Sequence, residues 1–240
     1  MDNLKKDYLK FINTHDYHLN KKAKTDIRIA TFNIHYWTDV WEKNKLNKLI
    51  EDIKYIDADL LFLQEVIFGS VYKVNSGKIN TEKVISRLEK LGYFVYFCNT
   101  LPNWFSGIYG NMVCVKNKYT YKIDITSHIF EKPGKQCMVR ENLQGGDETR
   151  CYIRIKIGKL FIIGTHLDVC SEIQRKKQMK KILKLVNEKS NKDYKIIILG
   201  DLNTTDLRQY KSLERINNIM KHVFNNSLYL KNNNVIKKIN

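Results

Sequence analysis

Four apolar segments of this chain each end in a polar side chain where the hydrophobic run stops, and this recurrence constrains the fold more than any other feature. IRIATFNI ends near Asn33, LLFLQEV at Gln64 and Glu65, KLFIIGTHL at His166, and YKIIILGDLN at Asp201 and Asn203. Short runs of aliphatic and β-branched residues read as buried strands. An unpaired polar group costs free energy at a buried strand end, so four such tips in order point to one shared site. Open sheets place their ligand sites beyond strand ends, where the loops diverge.

The segments between the tips complete the layout. WEKNKLNKLIEDIKYI repeats Leu46, Leu49, Ile50, Ile53 and Ile56 at three- and four-residue steps, which predicts a helix with one buried face. SEIQRKKQMKKILKLVNEKS predicts another, with Ile173, Met179, Ile182, Leu183 and Val186 inward and the lysines outward. A strand with a polar end, a helix and a second strand with a polar end therefore occurs twice, as two packed halves sharing one site. Between them, residues 81–91 predict a helix, and YFVYFC and NMVCVKN predict a strand pair joined by the loop LPNWFSGIYG. A strand is expected over 121–130, a loop over KPGKQCMVRENLQGGDE, and a hairpin turning at Gly158 and Lys159. Residues 1–24 carry Leu4, Tyr8, Phe11 and Ile12 on one face and read as a helical extension, leaving 25–240 as the main α/β domain.

Composition narrows the function without fixing it. Hydrophobic residues make up 43% of 240, and only 2 prolines occur, so a sizeable core is available and no interdomain linker stands out. The net charge of +17 attracts phosphate-bearing polymers. A lysine-, asparagine- and isoleucine-rich composition also follows from AT-rich coding, which leaves nucleic-acid attraction open on charge alone. Five cysteines, none in a C-x-x-C pair, indicate neither a disulfide framework nor a zinc site. With no apolar signal segment and no run near the roughly 18 residues of a membrane span, the expected setting is intracellular, cytoplasmic or nuclear.

The tip residues suit phosphate-ester hydrolysis. Carboxylates and amide oxygens bind Mg²⁺ or Mn²⁺, an aspartate orients or deprotonates water, and a histidine donates to a phosphate oxygen. Singly each has a bland reading: a turn asparagine, a capping glutamate, a histidine satisfying one hydrogen bond. Together, in this order, they are harder to dismiss.

The motifs TFNIH, LQEV, YGNMVCV, GTHLD and ILGDLN resemble the endonuclease/exonuclease/phosphatase superfamily, which includes DNase I-like nucleases and inositol-phosphate phosphatases. The resemblance covers roughly residues 27–206. It implies a four-layered α/β sandwich with two mixed sheets packed face to face. It also implies that Asn33 and Glu65 hold Mg²⁺ or Mn²⁺, that His166 binds the scissile phosphate, and that Asp201 and Asn203 position water and stabilise the transition state. Tyr109 and Asn111 fall where such proteins contact substrate. Asp168 either hydrogen-bonds within the site or caps the following helix, with the cap favoured. Trp104 and Phe105 either stack on a base or cover the core edge. Lys176, Lys177, Lys180 and Lys181 read as a solvated helix face.

The superfamily closes with a Ser-Asp-His segment, whereas no Asp-His dipeptide occurs in this sequence. The resemblance thus implies a site without its closing histidine, and a second sheet with an open edge that invites self-association or pairing with a partner. Three functions remain: a metal-dependent phosphodiesterase acting on nucleic acid, a phosphoesterase for inositol phosphates or phospholipid head groups, and a catalytically weak or inactive relative that binds nucleic acid or a partner.

Overall fold

The computed structural model describes residues 27–38, 45–69, 80–104, 107–131, 148–169, 171–188 and 193–203, with the side chains of 102–106 excepted. The expected helix over 1–24, most of the loop 132–148, the aromatic pair Trp104 and Phe105, and everything after residue 203 lie outside what can be described. Among the described residues no helix is long and apolar enough to cross a membrane.

Sheet one is built from β1 (Ile29–Asn33), β2 (Leu60–Phe68), β3 (Tyr93–Trp104) and β4 (Gly107–Lys116), in the order β1-β2-β4-β3. Sheet two is built from β5 (Ile123–Ile129), β6 (Cys151–Ile157), β7 (Leu160–His166) and β8 (Lys195–Asp201), in that order. Each sheet contains one parallel pair, β1 with β2 and β7 with β8, and the remaining pairings are antiparallel. A helix bridges each parallel pair: α1 (Leu46–Ile56) the first and α3 (Glu172–Val186) the second. This is the duplicated unit that the sequence predicts. Among the described residues a third helix, α2 (Thr81–Lys90), starts from Asn80, whose side chain accepts from the Lys83 amide and satisfies a free helix-end donor.

Three apolar clusters define four layers. Leu60, Phe62, Val113 and Val115 of sheet one meet Cys151, Ile153, Ile155 and Ile157 of sheet two in the central interface. β6 shows how sequence produces this: its residues alternate between buried and half-buried, so Cys151, Ile153, Ile155 and Ile157 all face sheet one. Each buried isoleucine there contributes about 1.5–3 kcal/mol. The outer face of sheet one packs on α1 and α2 through Ile50, Ile53, Val84 and Leu88. The outer face of sheet two packs on α3 through Met179, Ile182, Leu183 and Val186. The sheets approach closely at Gly164, where a Cβ would lie 1.8 Å from the Phe62 ring.

Several elements differ from expectation. β2 does not end at Glu65; it continues to Phe68 through a bulge between Leu63 and Val66. β3 and β4 run through most of the expected loop, to Trp104 and from Gly107. Residues 117–122 form a 3₁₀ turn, so the expected strand over 121–130 is only Ile123–Ile129. On α3, Ile173 is exposed, and Arg175 and Gln178 occupy the buried face, where both bond the backbone of Asp168. Polar side chains are tolerated there because the loop after β7 presents an N–H and a C=O that need partners.

Candidate active site

The two halves present their polar tips to one another at the same end of the sandwich. The Asn33 amide, at the end of β1, donates to Glu65 Oε1 and to Asp201 Oδ2, both at 2.9 Å. His166 Nε2, at the end of β7, lies 4.0 Å from Glu65 Oε1 and 3.8 Å from Asp201 Oδ2. Two residues from each sheet, far apart in sequence, thus form one cluster.

Backbone geometry fixes each tip. Glu65 sits at φ +56°, on the β2 bulge, which turns its carboxylate out of the strand's alternation. A left-handed conformation costs a non-glycine residue roughly 1–2 kcal/mol. After Asn33 the chain turns through His35, Tyr36 and Trp37, all at positive φ, and the His35 amide donates to Asn33 Oδ1 at 3.0 Å. This bond orients the Asn33 side chain with its NH₂ toward the carboxylates. The turn is anchored by Trp37, fully buried, whose Nε1 donates to Ile67 O at 2.9 Å. In sheet two, Gly200 has φ +130°, and a Cβ there would lie 1.8 Å from Thr165 O. The glycine of GDLN is therefore what lets β8 close on β7 immediately before Asp201.

Asp201 is held from both sides. Its Oδ1 accepts from the Asn203 amide at 2.9 Å while Oδ2 faces Asn33. Asn203, at φ +50°, uses its own side chain to donate to Leu167 O at 2.8 Å, tying the end of β8 to the loop after β7. Asp168 is buried and accepts from the Ser171 amide; Ser171 is the N-cap of α3. Asn111 is buried and donates to Cys151 Sγ at 3.3 Å. Tyr109 is buried too, and its hydroxyl accepts from Arg150 Nη1 at 2.9 Å. Of the residues expected from sequence, Asn33, Glu65, His166 and Asp201 come together directly. Asn203 bonds Asp201 directly and Tyr109 reaches His166 through Arg150, whereas the side chains of Asp168 and Asn111 bond Ser171 and Cys151.

Arg150 and Glu148 are the residues that sequence reasoning missed. Arg150 is buried, forms an ion pair with Glu148 at 2.7 Å, and places Nη1 3.1 Å from His166 Nδ1. Its position was open to reading. A hairpin turning at Gly158 and Lys159 pairs Ile157 with Leu160 and Tyr152 with Thr165, which carries the residues just before β6 alongside His166. Burial alone would lower the pKa of Arg150, but Tyr109, Glu148 and Glu65 outweigh it and the guanidinium stays charged. Burial pushes the Glu148 carboxyl above its ordinary value, with Arg150 pulling it partly back. Burial, reinforced by Arg150, holds the His166 imidazole well below its ordinary value, so the ring is neutral at neutral pH.

The donor set bears on a metal ion. Among the described residues no three His, Cys, Asp or Glu side chains form a coordinating group. Yet two carboxylates converge on the NH₂ of one neutral amide, and although the Arg150 charge is felt by Glu65, no lysine or arginine forms a salt bridge with either carboxylate among the described residues. Concentrated negative charge with oxygen donors and partial exposure suits a hard divalent cation. The Glu65 and Asp201 carboxylates fit such an ion as they stand, and Asn33 joins them only if its amide turns to present Oδ1.

The chain matches the Endonuclease/Exonuclease/phosphatase family over residues 30–219. No curated protein matches it. Among solved structures it is similar to an endonuclease/exonuclease/phosphatase from Beutenbergia cavernae, at 20% identity and TM-score 0.52, with 75% of this chain and 49% of that one covered. A second from Bacteroides vulgatus gives 19% identity and TM-score 0.51, covering 80% and 72%. D. rerio TDP2 complexed with a single-strand DNA product gives 16% identity and TM-score 0.50, covering 80% and 66%. At these identities the likeness establishes the fold, and the chain spans from about half to 72% of the length of these neighbours.

Proposed function

The chain belongs to the endonuclease/exonuclease/phosphatase family, and from that premise we propose that it is a divalent-metal-dependent phosphodiesterase acting on nucleic acid. The observation that carries this reading is the convergence of Asn33, Glu65, His166 and Asp201 from four strands of two sheets.

Glu65, joined by Asn33 through Oδ1 once its amide turns from the His35 amide, would hold Mg²⁺ or Mn²⁺, and when bound the ion would draw negative charge from a phosphoryl oxygen. The chain's own groups do the rest. His166, neutral and facing both carboxylates through Nε2, donates a hydrogen bond to a phosphate oxygen, a contact that strengthens as charge develops there. Asp201, held by the Asn203 amide and by Asn33, keeps a lone pair for orienting or deprotonating the attacking water. Asn203 acts beside it by fixing β8 to the loop after β7, and Asp168 keeps that loop in register with α3.

Two points support a nucleic-acid substrate. The net charge of +17 favours a polyanion, because each phosphate neutralised releases condensed counterions. D. rerio TDP2, which shares the fold, has been crystallised with a single-strand DNA product. A substrate panel tests the class: single- and double-stranded DNA against inositol phosphates, with Mg²⁺ and with chelator. Chelator-sensitive cleavage of DNA is expected; turnover of inositol phosphates alone would move the substrate to that class.

A further inference from the structure

We propose that Arg150 is a positioning residue that fixes the tautomer of His166, committing Nε2–H to a phosphate oxygen and withholding His166 from the metal. The proposal rests on the phosphoesterase reading for its consequence and on geometry alone for the tautomer. Arg150 Nη1 faces His166 Nδ1 at 3.1 Å. A guanidinium has only donors and does not lose its proton in a protein, so Nδ1 presents its lone pair and the ring proton sits on Nε2. Nε2 in turn lies 3.8 and 4.0 Å from two carboxylate oxygens, too far for a direct hydrogen bond, so its proton is not committed to either carboxylate. A protonated Nε2 has no lone pair for a cation. Metal binding is therefore left to oxygen donors, and His166 is left to the phosphate.

The surroundings hold Arg150 to this task. Glu148 Oε2 accepts from Nη2 at 2.7 Å, and the Tyr109 hydroxyl accepts from Nη1 at 2.9 Å while also approaching Glu148 Oε2 at 3.4 Å. Tyr109 thus belongs to the support of His166 rather than to the substrate surface. Every one of these groups is buried.

The ring ¹⁵N signals of His166, assigned by difference with His166→Gln and recorded without metal at pH 8, read the tautomer directly. Wild type is expected to show a bare Nδ1 and a protonated Nε2. Removing Arg150 alone would strand Glu148, so the neutral pair Glu148→Gln with Arg150→Met is used; it is expected to give signals averaged between tautomers and a several-fold lower kcat at similar KM. The exchanged pair Glu148→Arg with Arg150→Glu places an acceptor beside Nδ1, and is expected to move the proton there and lower kcat about 100-fold, the loss typical of one transition-state donor. A protonated Nδ1 in wild type, or a neutral pair that keeps both the fixed ring signature and wild-type kcat, would overturn the proposal. Absence of turnover in wild type would instead overturn the hydrolase reading, with the ring signals still deciding the tautomer.

Discussion

Replacing Gly200 with alanine tests whether the close of β8 on β7 sets the site. The added methyl would stand 1.8 Å from Thr165 O and 2.8 Å from its carbonyl carbon, about half the separation of an ordinary contact for the first, roughly 3.5–4.0 Å. Both atoms are backbone, so no side chain can swing aside. At φ +130° the alanine also occupies a region that L-residues rarely adopt, a strain of about 1–3 kcal/mol. Relief of the overlap by backbone movement costs about 1–3 kcal/mol more. The sum, about 2–6 kcal/mol, corresponds to a fall in Tm of roughly 4–24 °C for a chain of this size. Gly158→Ala is the control: its φ is +53° and nothing lies within 4 Å of the added Cβ, so it should cost only about 1–2 kcal/mol. Thermal unfolding followed by circular dichroism compares the two, and turnover well below both melting points reads the site. Because Thr165 pairs with Gly200 and His166 with Asp201, Gly200→Ala should also lower turnover where Gly158→Ala does not. Equal Tm shifts with equal turnover would refute the reasoning.

Three further outcomes follow from the same geometry. Tyr109→Phe removes the hydroxyl that accepts from Arg150 and should cost about 1.5–3 kcal/mol by denaturant unfolding, the range for a hydrogen bond to a charged group. The buried, neutral His166 makes stability pH-dependent: its folded pKa lies below the unfolded value, so the contribution is complete above about pH 6.5 and is lost as pH falls from there toward the folded pKa, at no more than about 1.4 kcal/mol per pH unit. Acid titration of stability should accordingly be shallower in His166→Gln than in wild type over that window. Asp201→Asn keeps the size of the side chain while removing its charge, and should lower turnover at least about 100-fold without a comparable rise in KM, measured by steady-state kinetics.

The sequence reveals much of this architecture because the signals are local and periodic. Leu46, Leu49, Ile50 and Ile53 state the buried face of α1, the alternation from Cys151 to Ile157 states the inward face of β6, and Gly158 marks the hairpin. The four tips were legible because a polar residue at the end of an apolar run is locally anomalous. What the sequence hides is set by distant partners. Nothing in LLFLQEV indicates that the strand passes through a left-handed Glu65 and goes on to Phe68; the bulge depends on the pairing with β4. Ile173 has the helical spacing of a core residue, yet Arg175 and Gln178 take that face because the Asp168 backbone needs them. Tyr109 lies in a motif suggestive of substrate contact, and only the fold reveals Arg150 and Glu148 beside its hydroxyl.

Glu65 is the residue on which metal-dependent cleavage should depend most directly. Wild type and Glu65→Ala would be incubated with single- and double-stranded DNA in Mg²⁺, in Mn²⁺ and in chelator, with circular dichroism confirming that both are folded. Glu65 is partly exposed at its strand bulge and lies outside the central apolar interface, so the variant should fold. The predicted result is cleavage by wild type that requires the metal and falls at least about 100-fold in Glu65→Ala. Equal cleavage by both proteins, or cleavage by wild type that survives chelation, would contradict it.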